Sequence, residues 1–259
     1  QCYCESGALS QYAVISKEIL LARYSALFQQ TTEGPSLAPV RTKKGLNPEF
    51  LAQSLSRRPI LLIGDIGVGK TIFIKHLYKV RAPSVFANAL VFYVDFGSRP
   101  IIEEDLKSVI ANEIEGQLLE EYGINIYERN FVHGVLYRDL EEFEKGIHGD
   151  IREFAPETFR AKQVEYLEEK LSNKEQYLGL SLMHISKGWK KQLVVFLDNV
   201  DQRPHEFQEH AFLIGQSMAA NWPVTVFISM RPETFYRSRV SGIISAYHPR
   251  AFTIAPPRV

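Results

Sequence analysis

Three short, mostly apolar runs punctuate the chain, each closed within two residues by a glycine or a charged residue. Ile60-Leu61-Leu62-Ile63, entered from Pro59, runs into Gly64; Gln192-Leu193-Val194-Val195-Phe196-Leu197 runs into Asp198; Val224-Thr225-Val226-Phe227-Ile228-Ser229 runs into Met230-Arg231-Pro232. Apolar stretches of this length without alternation predict strands covered on both faces, as in a parallel sheet. Ala89–Phe96 reads as a further strand and Phe252-Thr253-Ile254 as a fifth. Between them the apolar spacing turns helical. Ser10–Gln29 carries Val14, Ile15, Ile19, Leu20, Tyr24, Leu27 and Phe28 on one face. After a Thr-, Gly-, Pro- and Lys-rich loop over Thr31–Asn47, the triplet Asn47-Pro48-Glu49 supplies N-cap, first-turn proline and early acid for a short helix to about Ser56. Helices are also predicted over Thr71–Tyr78, Asp105–Tyr122, Glu165–Leu171, Leu178–Lys190 and His205–Ala220. Strands alternating with helices predict an α/β fold with a mainly parallel sheet of about five strands.

The pattern divides the chain into an N-terminal helix and loop, residues 1–46, and one α/β domain, residues 47–259. A strongly charged, mostly helical insertion spans about 125–191, within which Phe131–Phe159 reads as a helical subdomain. There is no internal repeat and no low-complexity segment. Over the 259 residues, 30 basic and 30 acidic side chains cancel, so no global field draws the chain to nucleic acid or an anionic membrane. Its 2 cysteines, Cys2 and Cys4, fall short of a tetrahedral metal site and read as free thiols, and the 7 histidines show no paired spacing. Low cysteine usage, together with the lack of a signal segment or a bilayer-length apolar run, points to a cytoplasmic setting. The first residue is Gln and the last five are Ala-Pro-Pro-Arg-Val, which reads as a piece of a longer protein with partner domains.

The sharpest chemistry lies between the first strand and the first helix of the domain. Gly64-Asp65-Ile66-Gly67-Val68-Gly69-Lys70-Thr71 meets the pattern G-x-x-x-x-G-K-[ST] in full. By residue frequencies such a match arises by accident in about one chain in a hundred of this size. Here strand, glycine-rich loop and helix also stand in the order the chemistry needs. Glycines allow backbone N–H groups to turn inward around phosphates, and the helix that follows presents a positive N-terminus. Lys70 is placed to reach β- and γ-phosphates as a point charge, and the Thr71 hydroxyl to ligate Mg²⁺. The expected ligands are a nucleoside triphosphate and magnesium.

A second magnesium anchor and a group that orients the attacking water are usually held at a strand tip beside that loop. Leu193–Leu197 ending in Asp198-Asn199-Val200-Asp201 supplies both. Asp198 closes an apolar strand, where an idle carboxylate is costly, and is assigned to Mg²⁺ directly or through water. Asp201 is either the general base or a loop acid. Arg231, after the fourth strand, is either a sensor of the γ-phosphate or a structural residue in the turn before Pro232; Arg237 and Arg239 are weaker candidates. Asp95, at the end of the second strand, faces the site or serves its own loop.

With these segments in place, the chain resembles the STAND class of P-loop NTPases, in particular the NACHT and KAP-like groups. Asp198-Asn199-Val200-Asp201-Gln202 matches their Walker B ending Asp-x-x-Asp, and Arg231-Pro232 matches the Arg-Pro pair after the next strand. The likeness covers roughly 59–257, with 125–191 unmatched. It implies a three-layer P-loop fold with strand order 5-1-4-3-2, ATP binding, slow hydrolysis, use of the nucleotide state as a switch, self-association, and roles in signalling or anti-phage defence. Departures accompany it. No Glu follows Asp198, which counts against rapid turnover, and the helical lid and winged helix usual in the class would lie beyond Val259.

Two other readings stay open: a motor or remodelling ATPase acting on DNA or protein, and a nucleotide-binding scaffold that does not hydrolyse; a small-molecule kinase is a more distant one. ATP is favoured over GTP because Asn173-Lys174-Glu175-Gln176 lacks the final Asp of the guanine-specificity element, and no Leu-Ser-Gly-Gly-Gln signature points to an ABC-type ATPase. The basic and aromatic cluster Lys187-Gly188-Trp189-Lys190-Lys191 is read as a helix end rather than a nucleic-acid contact, and the acidic run Asp139–Glu144 as a solvated helix face. On this chemistry Lys70→Ala is expected to abolish ATP binding, and Asp201→Asn to spare binding while slowing hydrolysis.

Overall fold

Ile60–Ile63 (β1), Ala89–Asp95 (β2), Gln192–Asp198 (β3), Val224–Met230 (β4) and Arg250–Thr253 (β5) pair, all in parallel, in the order β2-β3-β4-β1-β5. This is the order the resemblance implies, and each strand lies within one or two residues of its expected place. The computed structural model describes residues 58–81, 86–97, 105–247 and 249–254, together with Lys17, Ile19 and Leu20. Most of the helix expected over Ser10–Gln29, the loop Thr31–Asn47, the short helix after Asn47, and Cys2 and Cys4 lie outside the described residues. Ile19 and Leu20 are helical and buried, as their spacing predicts.

The apolar runs behave as their lack of alternation requires. Every residue of β1, β3 and β4 is buried, whereas β2 alternates between buried and half-buried. The two faces of the sheet carry separate cores. On one, Ile60, Leu62, Val194, Phe196, Phe227 and Phe252 pack with Phe73, Ile74 and Leu77 of the segment that follows β1. That segment is helix α1 (Lys70–His76), which widens into a π turn over Leu77–Arg81. On the other face, Leu61, Ile63, Val195, Leu197, Val226 and Ile228 pack with α2 (Leu106–Glu120), α7 (Lys174–Gly188) and α8 (His205–Asn221). Period-2 side chains thus send neighbours in each strand to opposite helical layers.

Residues 125–191 fold as five helices: α3 (Arg129–Val135), α4 (Tyr137–Lys145), α5 (Gly149–Phe154), α6 (Pro156–Ser172) and α7. Phe131, Val132 and Leu136 join the main core with Tyr177, Leu178, Leu182 and Ile185 of α7. The part from α4 to α6 instead closes around Phe143, which packs against His148, Phe159 and Tyr166. The acidic run on α4 is a charged face: Asp139 pairs with Lys170 at 2.6 Å, Glu141 with Lys145 at 2.5 Å and Glu144 with Arg152 at 3.2 Å.

The basic and aromatic cluster builds a corner between α7 and β3. Trp189 lies edge-on to Phe131, Lys190 takes a positive φ of 54°, and Lys191 Nζ donates to Asn88 Oδ1 at 2.5 Å. Asn173, in the segment considered for guanine specificity, caps α7 by accepting from the Gln176 N–H at 3.1 Å. Beyond β4, Arg231 is the N-cap and Pro232 the first residue of α9 (Pro232–Ser241), followed by the short α10 (Ile244–Tyr247). Among the described residues no helix is long and apolar enough to cross a membrane.

Candidate functional site

The carboxyl ends of β1, β3 and β4 meet at one rim of the sheet, where ligand crevices form in open α/β folds. The loop Gly64–Thr71 leaves β1 there. Its path is fixed at both ends: Gly64 N–H donates to the Met230 carbonyl at 3.2 Å and Phe73 N–H to the Gly69 carbonyl at 2.8 Å. Gly67 and Gly69 have φ of 85° and 96°, which favour glycine over residues with a Cβ. A Cβ on either would point into open space, so backbone conformation rather than crowding dictates these two glycines. Gly64 differs: a Cβ there would stand 2.9 Å from the Ile254 carbonyl oxygen and 2.7 Å from Val68 Cγ2. Asp65, Ile66 and Gly67 are exposed and Val68 half-buried, so the loop's outer arc faces solvent.

Lys70 is only 6% exposed and folds inward. Its ammonium donates to the carbonyls of Gly64 at 2.6 Å and Asp65 at 2.7 Å, and pairs with Asp201 Oδ2 at 3.1 Å. An ammonium has three protons, and three acceptors surround this one. Asp201 is 2% exposed, and its Oδ1 has no hydrogen-bond partner among the described residues. Asp201 reaches Lys70 because Asn199 turns the chain sharply after β3. Asn199 takes the left-handed conformation (φ 56°), and Val200–Gln202 forms one 3₁₀ turn. Asn is among the few residues that tolerate that conformation, and its side chain is tied down by donating to Asp95 Oδ1 at 2.6 Å.

Asp198 is fully buried. Removing a carboxylate from water costs several kcal/mol unless its lone pairs are filled. Here they are. Oδ1 accepts from Ser229 Oγ at 2.7 Å and from the Asn199 N–H at 2.9 Å. Oδ2 accepts from Thr71 Oγ1 at 2.6 Å and from the Tyr93 hydroxyl. Burial, and then the Asp198 carboxylate, push the Tyr93 hydroxyl far above its ordinary pKa, so it is a standing donor.

The remaining candidates separate. Arg231 belongs to the cluster: its Nε donates to the Asp201 carbonyl, and its N–H donates to Gln208 Oε1 at 3.2 Å. Asp95 lies level with Asp198 in register but serves its own corner, accepting from Gly97 N–H at 2.8 Å and from Asn199. Arg237 and Arg239 are exposed on α9, with Arg239 lying 5.9 Å above the Phe235 ring. Lys70, Thr71, Asp198, Asp201 and Arg231, distant in sequence, therefore stand around one rim.

Three participants were missed from sequence: Tyr93, Ser229 and Asn199. Each left a faint signal. Tyr93 and Ser229 are hydroxyls inside apolar strands, and Asn199 follows a strand-ending acid.

The donors present suit a hydrated dication that shares a phosphate. The Thr71 hydroxyl donates its hydrogen bond to Asp198 and so keeps its lone pairs for a cation, with Asp198 standing behind it. Among the described residues no group of three or more His, Cys, Asp or Glu could hold a metal ion, so a cation here would draw on water and phosphate as well. Compared with protein-family models, curated proteins and solved structures, the chain matches none of them.

Proposed function

We propose that this chain is an ATP- and Mg²⁺-binding domain of the three-layer P-loop type, STAND-like in the NACHT and KAP sense, which hydrolyses slowly and serves a larger protein as a nucleotide-controlled switch. The observation that carries the reading is the convergence of Lys70, Thr71, Asp198 and Asp201 behind a loop whose two positive-φ glycines turn its backbone. In this reading Gly64–Thr71 wraps the phosphates with backbone N–H groups, and Lys70 is the cation that meets their charge. Mg²⁺ would be held by Thr71 and, behind it, Asp198, and would supply charge neutralisation at the phosphates. Asp201 is the base for the attacking water, and Arg231 is held beside it to meet charge at the terminal phosphate.

A slow switch is favoured over an engine by the state of these side chains. Both groups that must act on the nucleotide are occupied with each other, Lys70 by Asp201 and by two loop carbonyls. Binding must break that arrangement before chemistry can start.

The test is single-turnover hydrolysis of labelled ATP alongside a filter assay for retained nucleotide. Turnover of minutes or slower with nucleotide retained supports the switch. Rapid multiple turnover stimulated by DNA or a protein substrate would favour a motor, and retention without hydrolysis a scaffold. A role in signalling or anti-phage defence, and self-association, follow only from the resemblance.

A further inference from the structure

We propose that Tyr93 is a positioning residue that sets the cation preference of the site, holding Asp198 away from direct coordination so that a cation which keeps its water, Mg²⁺, is accepted over one that demands carboxylate oxygens, Ca²⁺. The inference rests on the Mg-ATP reading above. A carboxylate offers about four acceptor positions. Ser229 Oγ and the Asn199 N–H fill those of Asp198 Oδ1, and Thr71 Oγ1 and the Tyr93 hydroxyl those of Oδ2. Three of these donors are dictated by the fold or by the Gly64–Thr71 motif: Thr71 lies in the first turn of α1, Ser229 lies on the neighbouring strand β4, and the Asn199 N–H is the next backbone group. The Tyr93 phenol is the additional one, reaching across from β2.

Tyr93 is braced to do this. Among the described residues it lies on an edge strand, where backbone groups lack a partner strand on one side. The Gln117 side chain of α2 supplies both missing bonds, with Nε2 donating to the Tyr93 carbonyl and Oε1 accepting from its N–H, each at 2.9 Å. Two residues earlier the Tyr122 hydroxyl does the same for Val91, at 2.7 and 2.9 Å. On the ring side, the Lys75 ammonium lies 5.9 Å from the Tyr93 centroid. The backbone that carries the ring is therefore braced, and the phenol itself is held by its hydrogen bond to Asp198.

A cation approaching Asp198 must displace one of the four donors or bind through water. Mg²⁺ sheds water reluctantly and keeps several waters in protein sites, whereas Ca²⁺ takes six to eight oxygen ligands, with carboxylates bound directly. A filled Asp198 therefore costs Ca²⁺ more than Mg²⁺.

The experiment measures ATP affinity by calorimetry with saturating Mg²⁺ and, separately, saturating Ca²⁺, for the wild type and Tyr93→Phe. The ring is retained and only the hydroxyl is lost; a thermal melt checks the fold, and Tyr122→Phe, which removes the brace on Val91 rather than the phenol on Asp198, controls for strand loosening. The expected result is that Tyr93→Phe narrows the preference for Mg²⁺ over Ca²⁺ by about tenfold, the loss of one charge-assisted hydrogen bond, mainly through tighter binding with Ca²⁺. Tyr122→Phe should leave the ratio unchanged. An unaltered ratio in Tyr93→Phe, or an equal shift in both variants, overturns the proposal while leaving the ATP site intact. No ATP binding by the wild type with either cation overturns the Mg-ATP reading and this inference with it.

Discussion

Replacing Asp201 by Asn should tighten ATP binding and slow its hydrolysis at the same time. The reason is the pair it makes with Lys70, at 3.1 Å and with side chains 5% and 3% exposed. To reach the β- and γ-phosphates, Lys70 must release at least one of its three acceptors, and Asp201 is the only charged one. Hydrogen bonds to charged groups contribute about 1.5–3 kcal/mol and neutral ones about 0.5–1.5, so exchanging carboxylate for amide lowers the cost of release by roughly 1–1.5 kcal/mol. That corresponds to ATP binding about five- to tenfold tighter. Removing a negative charge from beside the terminal phosphate acts in the same direction. Turnover should fall by about a hundredfold or more if Asp201 is the general base. Calorimetry with Mg-ATP and single-turnover hydrolysis read the two effects separately, and a thermal melt controls for the buried pair's part in stability. Unchanged or weaker ATP affinity in a folded variant would refute the competition between Asp201 and phosphate for Lys70. The sequence alone leads only to binding spared; the structure turns this into binding improved.

Other expectations follow from packing and titration. Gly64→Ala should lower both Tm and ATP affinity, because its Cβ would stand 2.9 Å from the Ile254 carbonyl oxygen and force β1 and β5 apart; a wild-type melt with unchanged affinity would contradict this. Burial pushes the Tyr177 hydroxyl, which donates to the Ile126 carbonyl, up to about 12. An unfolded tyrosine ionises near 10. The unfolded chain therefore releases a proton that the folded chain keeps, so stability is whole below pH about 10 and falls as pH rises towards 12, by on the order of 3 kcal/mol for this residue. Denaturant midpoints across pH 8–12 should fall less steeply in Tyr177→Phe than in the wild type; identical slopes would remove Tyr177 as the cause.

What was legible in sequence had a local signature. The fully buried β1, β3 and β4 came from short, mostly apolar runs without polar alternation, and Gly67 and Gly69 came from a motif whose glycines are there for their φ. The sheet order came from the resemblance and not from any pattern in the runs. The order of helices between 125 and 191 was opaque because α6 buries only Phe159 and carries charge around most of its circumference, which weakens its helical period, and because Phe131 and Tyr177, far apart in sequence, share one core only after folding. The site was legible as a set of residues but not as an arrangement. Asp198 stood out as an acid closing an apolar strand. Its four donors did not, since three of them arrive from other strands or helices. The Lys70–Asp201 pair depends on the left-handed turn at Asn199, for which one Asn after an acid is a thin signal. Arg231 joins Asp201 through a backbone carbonyl, a partner no side-chain pattern can announce.

The central claim is that Gly64–Thr71 holds Mg-ATP with Lys70 as its essential cation. Calorimetric titration of Mg-ATP into the wild-type chain and into a folded Lys70→Ala variant tests it most directly. The account predicts one-site binding by the wild type and no measurable binding by the variant. Equal affinity in the two proteins, or no binding by the wild type, would contradict it.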